Sequence, residues 1–223
     1  MLVSQRVAGE KLAQARKAGA NRPAVGWSAL CAIVFACVHT ASASEVTEPI
    51  EQLDAGLLQI MQVGKATPFQ QRYDLLAPMV IRAFDLDFIL QSAVGQTWAS
   101  LPADQQAALK TAFQRYSIAT YVTNFDDFSG ERFDLTPPAG GSDTMVQVKI
   151  VPGPASGEIH TLGYVMHLAD GKWRAIDVVA DGFISQGTVQ KAEIRAVLTL
   201  SGPQGLLARL QQKVEQISGG TLH

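Results

Sequence analysis

Residues 159–179 read IHTLGYVMHLADGKWRAIDVV. Two runs rich in β-branched and aromatic residues, 159–169 and 172–179, flank Asp170-Gly171. That dipeptide favours positive φ at both central positions of a two-residue hairpin loop. The spacing therefore predicts an antiparallel pair with Leu168 opposite Trp173, Met166 opposite Ala175 and Tyr164 opposite Asp177. Leu162, Tyr164, Met166 and Leu168 then share one face with Trp173 and Val179. Val165, Ile176 and Val178 fall on the other. Neither face is strongly polar, so one is expected to be covered and the other to border a cavity, ligand or partner.

Upstream, Val146, Val148 and Ile150 alternate with Gln147 and Lys149, and Phe133 and Leu135 alternate with polar residues. Pro137, Pro138, Gly140 and Gly141 mark a turn between them. About four antiparallel strands are expected. Helical periodicity occupies both flanks. Ile50, Leu53, Leu57, Leu58 and Met61 make one stripe, stopped at Gly64. Thr67-Pro68 opens a second helix, which Pro78 is expected to break into another short helix through Phe84. Asp85 can cap 86–94, ending at Gly95. Pro102 opens a helix running to about Phe128. After Gly182 one helix ends before Gly202, and Pro203 starts the last. Helices, then a meander of strands, then helices define an α+β fold, with N- and C-terminal helices wrapped round the sheet.

The 223 residues are 47% hydrophobic and 17% charged, with 18 basic against 20 acidic residues. That is a folded chain, and no nucleic-acid binder of the strongly basic kind. Both cysteines, Cys31 and Cys37, lie in the N-terminal apolar run, so the body has no disulfide, thiolate metal site or cysteine nucleophile. Residues 1–26 carry five basic residues and one acid, followed by twelve uncharged residues, 27–38, and Ala41-Ser42-Ala43. Basic, apolar, then small is the order of a secretory signal peptide, expected to be cleaved after Ala43. An uncleaved anchor and a lipoprotein box at Cys37 are the alternatives. Cleavage leaves a single exported domain, residues 44–218, with thirteen basic against nineteen acidic residues and a frayed tail, 219–223.

Catalytic constellations are thin. Asp85 and Asp87, or Asp126 and Asp127, pair carboxylates; each is read as a helix-end group. Asp177, expected opposite Tyr164 on an apolar face, is read as a structural carboxylate held by the Tyr164 hydroxyl, an arginine or backbone donors. His160 and His167 could serve as general bases; His167, on the face with Arg174, is read as a solvated strand residue. There is no G-x-S-x-G, phosphate loop or close histidine pair. The large apolar side chains say more: a twisted sheet wrapped by helices can enclose an apolar molecule.

Several short segments together resemble one family. Leu76-Ala77-Pro78, FDLDFI (84–89), Gly95-x-x-Trp98, Pro-x-x-Gln at 102–105, Phe113, Tyr116, Thr120-Tyr121, FSGERF (128–133), DGKW (170–173), Asp177-Val178-Val179 and Asp181-Gly182 occur in this order over some 140 residues. In that order they resemble the MlaC family, the toluene-tolerance auxiliary proteins. Where members usually continue Gly-Val-Ser and then an Asn-Tyr-Arg helix, this chain has Gly182-Phe183-Ile184-Ser185. That departure resembles the hopanoid-associated branch, HpnM. The resemblance implies a periplasmic carrier, a monomer, that carries a hopanoid or phospholipid between an inner-membrane transporter and an outer-membrane complex. It implies no enzyme activity and no cofactor or metal; the lipid is cargo. The residues expected to border it are Trp98, Phe113, Tyr116, Tyr121, Val148, Tyr164, Met166, Trp173 and Phe183. A small α+β pocket enzyme and a non-carrying accessory subunit are the competing readings.

Overall fold

The structure, a computed structural model, describes residues 43–140, 144–154 and 157–222. The expected leader lies outside them, apart from Ala43, the first residue of helix α1 (Ala43–Val63).

Five antiparallel strands form a meander in sequence order: β1 (Arg132–Thr136), β2 (Met145–Val151), β3 (His160–Ala169), β4 (Lys172–Ala180) and the two-residue β5 (Ile184–Ser185). Asp170 (φ 52°) and Gly171 (φ 71°) make the tight turn with both residues left-handed, which matches the twist of the flanking strands. Leu168 faces Trp173 and Met166 faces Ala175, as the turn predicts. One residue further on the register slips: Val165 pairs with Asp177 and Tyr164 with Val178. Ile176 is the extra residue of a β-bulge, which reverses the sidedness of everything beyond it. Val178 therefore joins Tyr164 on the inner face and Val179 leaves it, contrary to the simple alternation, and Asp177 does not oppose Tyr164. The bulge sits where the outer edge of β4 is closed by an incoming segment. Phe84 bridges Ala175, and the Asp85 N–H donates to the Ala175 carbonyl at 3.0 Å.

The inner face carries Val146, Val148, Tyr164, Met166 and Ala175 into one apolar core with α1 and α2 (Phe69–Ala83). Ile50, Leu53, Leu57 and Ile60 of α1 are fully or almost fully buried there, each contributing about 1.5–3 kcal/mol by leaving water. Helix α2 runs through Pro78 without ending. Proline removes one helical hydrogen bond, but its φ suits a helix. Leu76, Val80 and Ala83 on either side are buried, and their packing outweighs the break expected from the sequence. Asp85 caps α3 (Leu86–Val94), its Oδ1 accepting from the Phe88 N–H at 3.0 Å. A 3₁₀ turn (Gly95–Ser100) leads to α4 (Ala103–Asn124), which stops four residues before the expected end as Phe125 turns out of helical geometry.

Helix α5 (Gln186–Ser218) is broken at Gly202 (φ 65°), so the two expected C-terminal helices are present in sequence order. Their apolar sides form a second core with α3 and α4, around Leu90, Leu109, Phe113, Leu206 and Leu210. The expected fraying of the tail is corrected for its described part. Gly219 caps α5 in the left-handed region, the Gly220 N–H donates to the Glu215 carbonyl, and Leu222 packs on Ala119 and Val214 with 9% exposure. Among the described residues no helix is long and apolar enough to cross a membrane.

Candidate functional site

Between the two cores lies a cavity of about 740 Å³, within the ~300–1,000 Å³ range of sites that enclose one small molecule. Its sheet wall is the far end of the inner face, with Ile150, Leu162, Val178 and Ala180 together with the bulge residue Ile176, and Met61 from the last turn of α1 also lines it. Helices α3 and α4 supply the opposite wall through Leu86, Ile89, Phe113, Tyr116 and Tyr121. Rings continue along one side: Phe84 to Tyr121 at 5.5 Å, Tyr121 stacked on Phe125 at 6.0 Å, and Phe125 edge-on to Phe133 at 6.1 Å. Such contacts add order and about 0.5–1.5 kcal/mol per pair beyond the area they bury.

Phe84 separates the cavity from a small polar cluster in the core. Tyr164, behind it at 6.1 Å between rings, is fully buried, and its hydroxyl lies against that of Tyr121. Asp54 of α1 is 7% exposed and its Oδ1 has no partner. Burial, reinforced by Glu51, raises the Asp54 carboxyl to about pH 7. Burial also pushes the hydroxyls of Tyr121 and Tyr164 upward, with Asp54 adding to both.

The mouth is polar. Asp177 Oδ1 accepts from the Gly187 N–H at 2.8 Å and its Oδ2 from the Ser185 hydroxyl at 2.6 Å. Ser185 in turn caps α5 by accepting from the Thr188 N–H. Asp177 is thus the structural carboxylate expected. Its donors are the backbone and a serine, and it pins the first turn of α5 to the sheet, where the helix dipole favours an anion. Asp181 accepts from the Thr161 N–H at 2.9 Å and lies 3.3 Å from His160 Nδ1; these two contacts hold its carboxyl below the ordinary range. His167 instead meets Asp85 Oδ2 at 3.0 Å, under the ring of Phe88, and ties the cap of α3 to the sheet.

A Cβ on Gly187 would stand 2.7 Å from Asp177 Oδ1. Gly187→Ala is therefore expected to destabilise the wild-type protein. In an Asp177→Ala background the same change is expected to be neutral or stabilising by up to ~1 kcal/mol, because alanine is the better helix former. Asp177→Ala alone is expected to cost about 1–3 kcal/mol, leaving N-terminal helix donors unpaired. Denaturant unfolding of the four proteins measures the cycle; equal costs of Gly187→Ala in both backgrounds would refute the contact.

Of the residues expected to border the cavity, Phe113, Tyr116 and Tyr121 line it. The others do not. Val148, Tyr164 and Met166 are on the expected face but at its other end, where α1 and α2 cover them in solid core. Trp173, half-buried, packs on that same core. Trp98 belongs to the second core, carried there by the 3₁₀ turn. Phe183 is 92% exposed, because Asp181 (φ 50°) and Gly182 (φ 75°) turn the chain outward before it. The sequence reading missed Ile176 and Val178, whose placement depends on the bulge. It also missed Phe84, Leu86 and Ile89, whose signal was the FDLDFI segment.

The fold is thus a helix-wrapped antiparallel meander with a cavity between sheet and helices. The model of the MlaC protein family matches residues 51–212, and the chain belongs to that family. Among solved structures, the phospholipid-binding protein from Ralstonia solanacearum, in complex with a phospholipid, has the same fold. It matches with a TM-score of 0.65 and 18% sequence identity, over 79% of this chain and 98% of that one. No curated protein sequence matches.

Proposed function

We propose that this protein is a periplasmic lipid carrier that shields the apolar part of one lipid in the cavity between sheet and helices. The observation that carries the reading is the 740 Å³ cavity, with aliphatic and aromatic side chains from sheet and helices and polar groups at its mouth, in a chain of the MlaC family. Exposing a diacyl lipid to water costs roughly 0.8 kcal/mol per methylene, so a soluble route between membranes requires an enclosing site. Two titratable groups at the mouth, Asp177 and Asp181, are engaged by backbone donors, which supports carriage rather than turnover; His167 lies away from the cavity, as a tie to Asp85. In this reading the leader directs export and is removed. The cargo is a hopanoid or a phospholipid, the hopanoid-associated branch being the nearer resemblance. An inner-membrane transporter and an outer-membrane complex exchange it with the carrier.

Native mass spectrometry of protein purified from its own envelope tests this. Copurified lipid at about one molecule per chain is the expected result. A protein that is empty under these conditions and turns over a small substrate would replace the carrier with a pocket enzyme.

A further inference from the structure

Asp54 is a buried titratable group that the carrier reading leaves without a task. It is 7% exposed in the core, and its Oδ1 has no hydrogen-bond partner. Such an orphaned oxygen costs stability and calls for a reason. Arg72, the other buried charged residue among those described, has one: its Nε and Nη1 donate to the Thr67 and Val122 carbonyls and fasten α2 to α4. The Asp54 Oδ1 fastens nothing. What faces it is acidic or neutral. Glu51, one turn away on α1, adds like charge, and Tyr121 of α4 and Tyr164 of β3 feel its charge from the core. The basic side chains of the elements packed on α1 are turned elsewhere. Arg82 of α2 meets Gln52, Lys110 of α4 meets Asp87, Arg115 of α4 acts on Tyr73, Arg132 of β1 meets Asp134, and Arg174 of β4 reaches towards Asp85. Lys149 of β2 alternates out to the opposite face, and Lys172 of β4 stands at the hairpin turn. The cluster is one ring away from the cavity. Tyr121 lines it, as does Phe84, whose ring lies 5.5 Å from Tyr121 and 6.1 Å from Tyr164. Met61, seven residues beyond Asp54 and so on the same side of α1, lines it too.

We propose that Asp54 is a proton-linked switch on the cavity: with its proton on, the wall of Phe84 and Tyr121 stays dry and the lipid is held, and with its proton off the carboxylate draws water through that wall and loosens the lipid. The proposal rests on the carrier reading above and supplies its regulation. A lipid in the cavity replaces water with hydrocarbon on the far side of the two rings, so loading makes the charged form of Asp54 costlier still. The coupling is reciprocal: whatever loading adds to the hold on the proton, loss of the proton subtracts from the hold on the lipid. In the unloaded protein Asp54 ionises at about pH 7, through burial first and Glu51 second. Below that pH both forms keep the proton and affinity is flat. Above it the loaded form still carries a proton that the empty form has lost, so affinity falls by up to about tenfold per pH unit.

The test uses the delipidated protein and dodecyl maltoside, a non-ionic amphiphile with nothing to titrate, kept below its micellar concentration. Isothermal titration calorimetry from about pH 5.5 to about pH 9, in buffers of different ionisation heat, gives affinity and proton uptake together. Wild-type affinity is expected to be flat below about pH 6 and to fall about tenfold between about pH 7 and about pH 9, with proton uptake on binding in the same window. Asp54→Asn is expected to bind with no such fall and no such uptake. Glu51→Gln changes an exposed side chain and removes the like charge, so the fall is expected to begin at lower pH; it provides a second route should the core variant fold poorly. His160→Gln, at the rim of the cavity, is expected to keep the wild-type profile. Affinity indifferent to pH, or a pH dependence that survives Asp54→Asn or disappears in His160→Gln, would overturn the proposal and leave the carrier intact. Failure of the amphiphile to bind at any pH would overturn the carrier reading itself.

Discussion

Ile176→Asp is expected to empty the protein of lipid, cutting the copurified amount at least about tenfold, while the melting temperature falls only slightly. Ile176 lines the cavity and belongs to neither apolar core. In the lipid-free state a carboxylate there meets whatever water enters the chamber. In the loaded state it lies unpaired against a hydrocarbon tail, and burying an unpaired charge costs more than the 1.4 kcal/mol that makes a tenfold change in occupancy. Met166→Asp should behave in the opposite way. Met166 is 2% exposed in the core under α1 and α2, and an uncompensated charge in solid packing removes several of the ~5–15 kcal/mol that hold a domain folded. Lipid quantification and thermal melts of both variants decide the matter. If Met166→Asp stays folded and empties while Ile176→Asp keeps its lipid, the cavity is at the other end of the sheet.

Asp54→Asn is expected to stabilise the protein, increasingly so as pH rises. In the unfolded chain an aspartate ionises near pH 4, whereas burial holds Asp54 to about pH 7 in the folded state. Between those values the folded protein keeps a proton that the unfolded chain has lost. Wild-type stability therefore falls as pH rises through this window and levels off above about pH 7, by an upper bound of about 4 kcal/mol. Asparagine keeps the shape and has no charge to bury, so its advantage over wild type should be small near pH 4 and full above pH 7. Chemical unfolding of both proteins across that range provides the measurement. A difference between them that does not vary with pH would mean that Asp54 is solvated or paired.

The architecture was legible because its signals are local. The Asp170-Gly171 turn set the hairpin, the i, i+3, i+4 stripes set α1, α4 and α5, and Asp85 and Gly95 bounded α3. The two misread helix boundaries have a common physical cause. At Pro78 a local breaker was overridden by burial on either side, and at Asn124 no local breaker was needed because Phe125 leaves the helix to pack its ring against Tyr121 and Phe133. The cavity was less legible, because a face is a property of a strand whereas a cavity is a property of part of a face. Tyr164, Met166 and Leu162 share the inner face, yet the first two are buried in solid core while the third, half-buried, lines the cavity. Strand periodicity alone does not say where a covering helix ends. Phe113, Tyr116 and Tyr121 were found because a helix stripe two to three turns long can serve a core and a chamber at once. Phe183 was lost to two left-handed residues, Asp181 and Gly182, the first of which is not a glycine and so gave little warning.

The bulge at Ile176 works on the sheet as a single inserted letter works on a reading frame. Upstream of it β4 keeps the phase set by the turn, and Ala175 joins the core. Downstream the phase has changed, Val178 becomes wall, and Asp177 is free to take hold of α5 instead of opposing Tyr164. The constraint on this strand is consequently one of count as much as of content. Replacing a residue between Ala175 and Val178 leaves the phase of the strand intact, whereas removing one restores plain alternation and deprives the chamber of a wall and the last helix of its anchor in the same step. For this fold, a change of length in β4 is a change of topology in all but name.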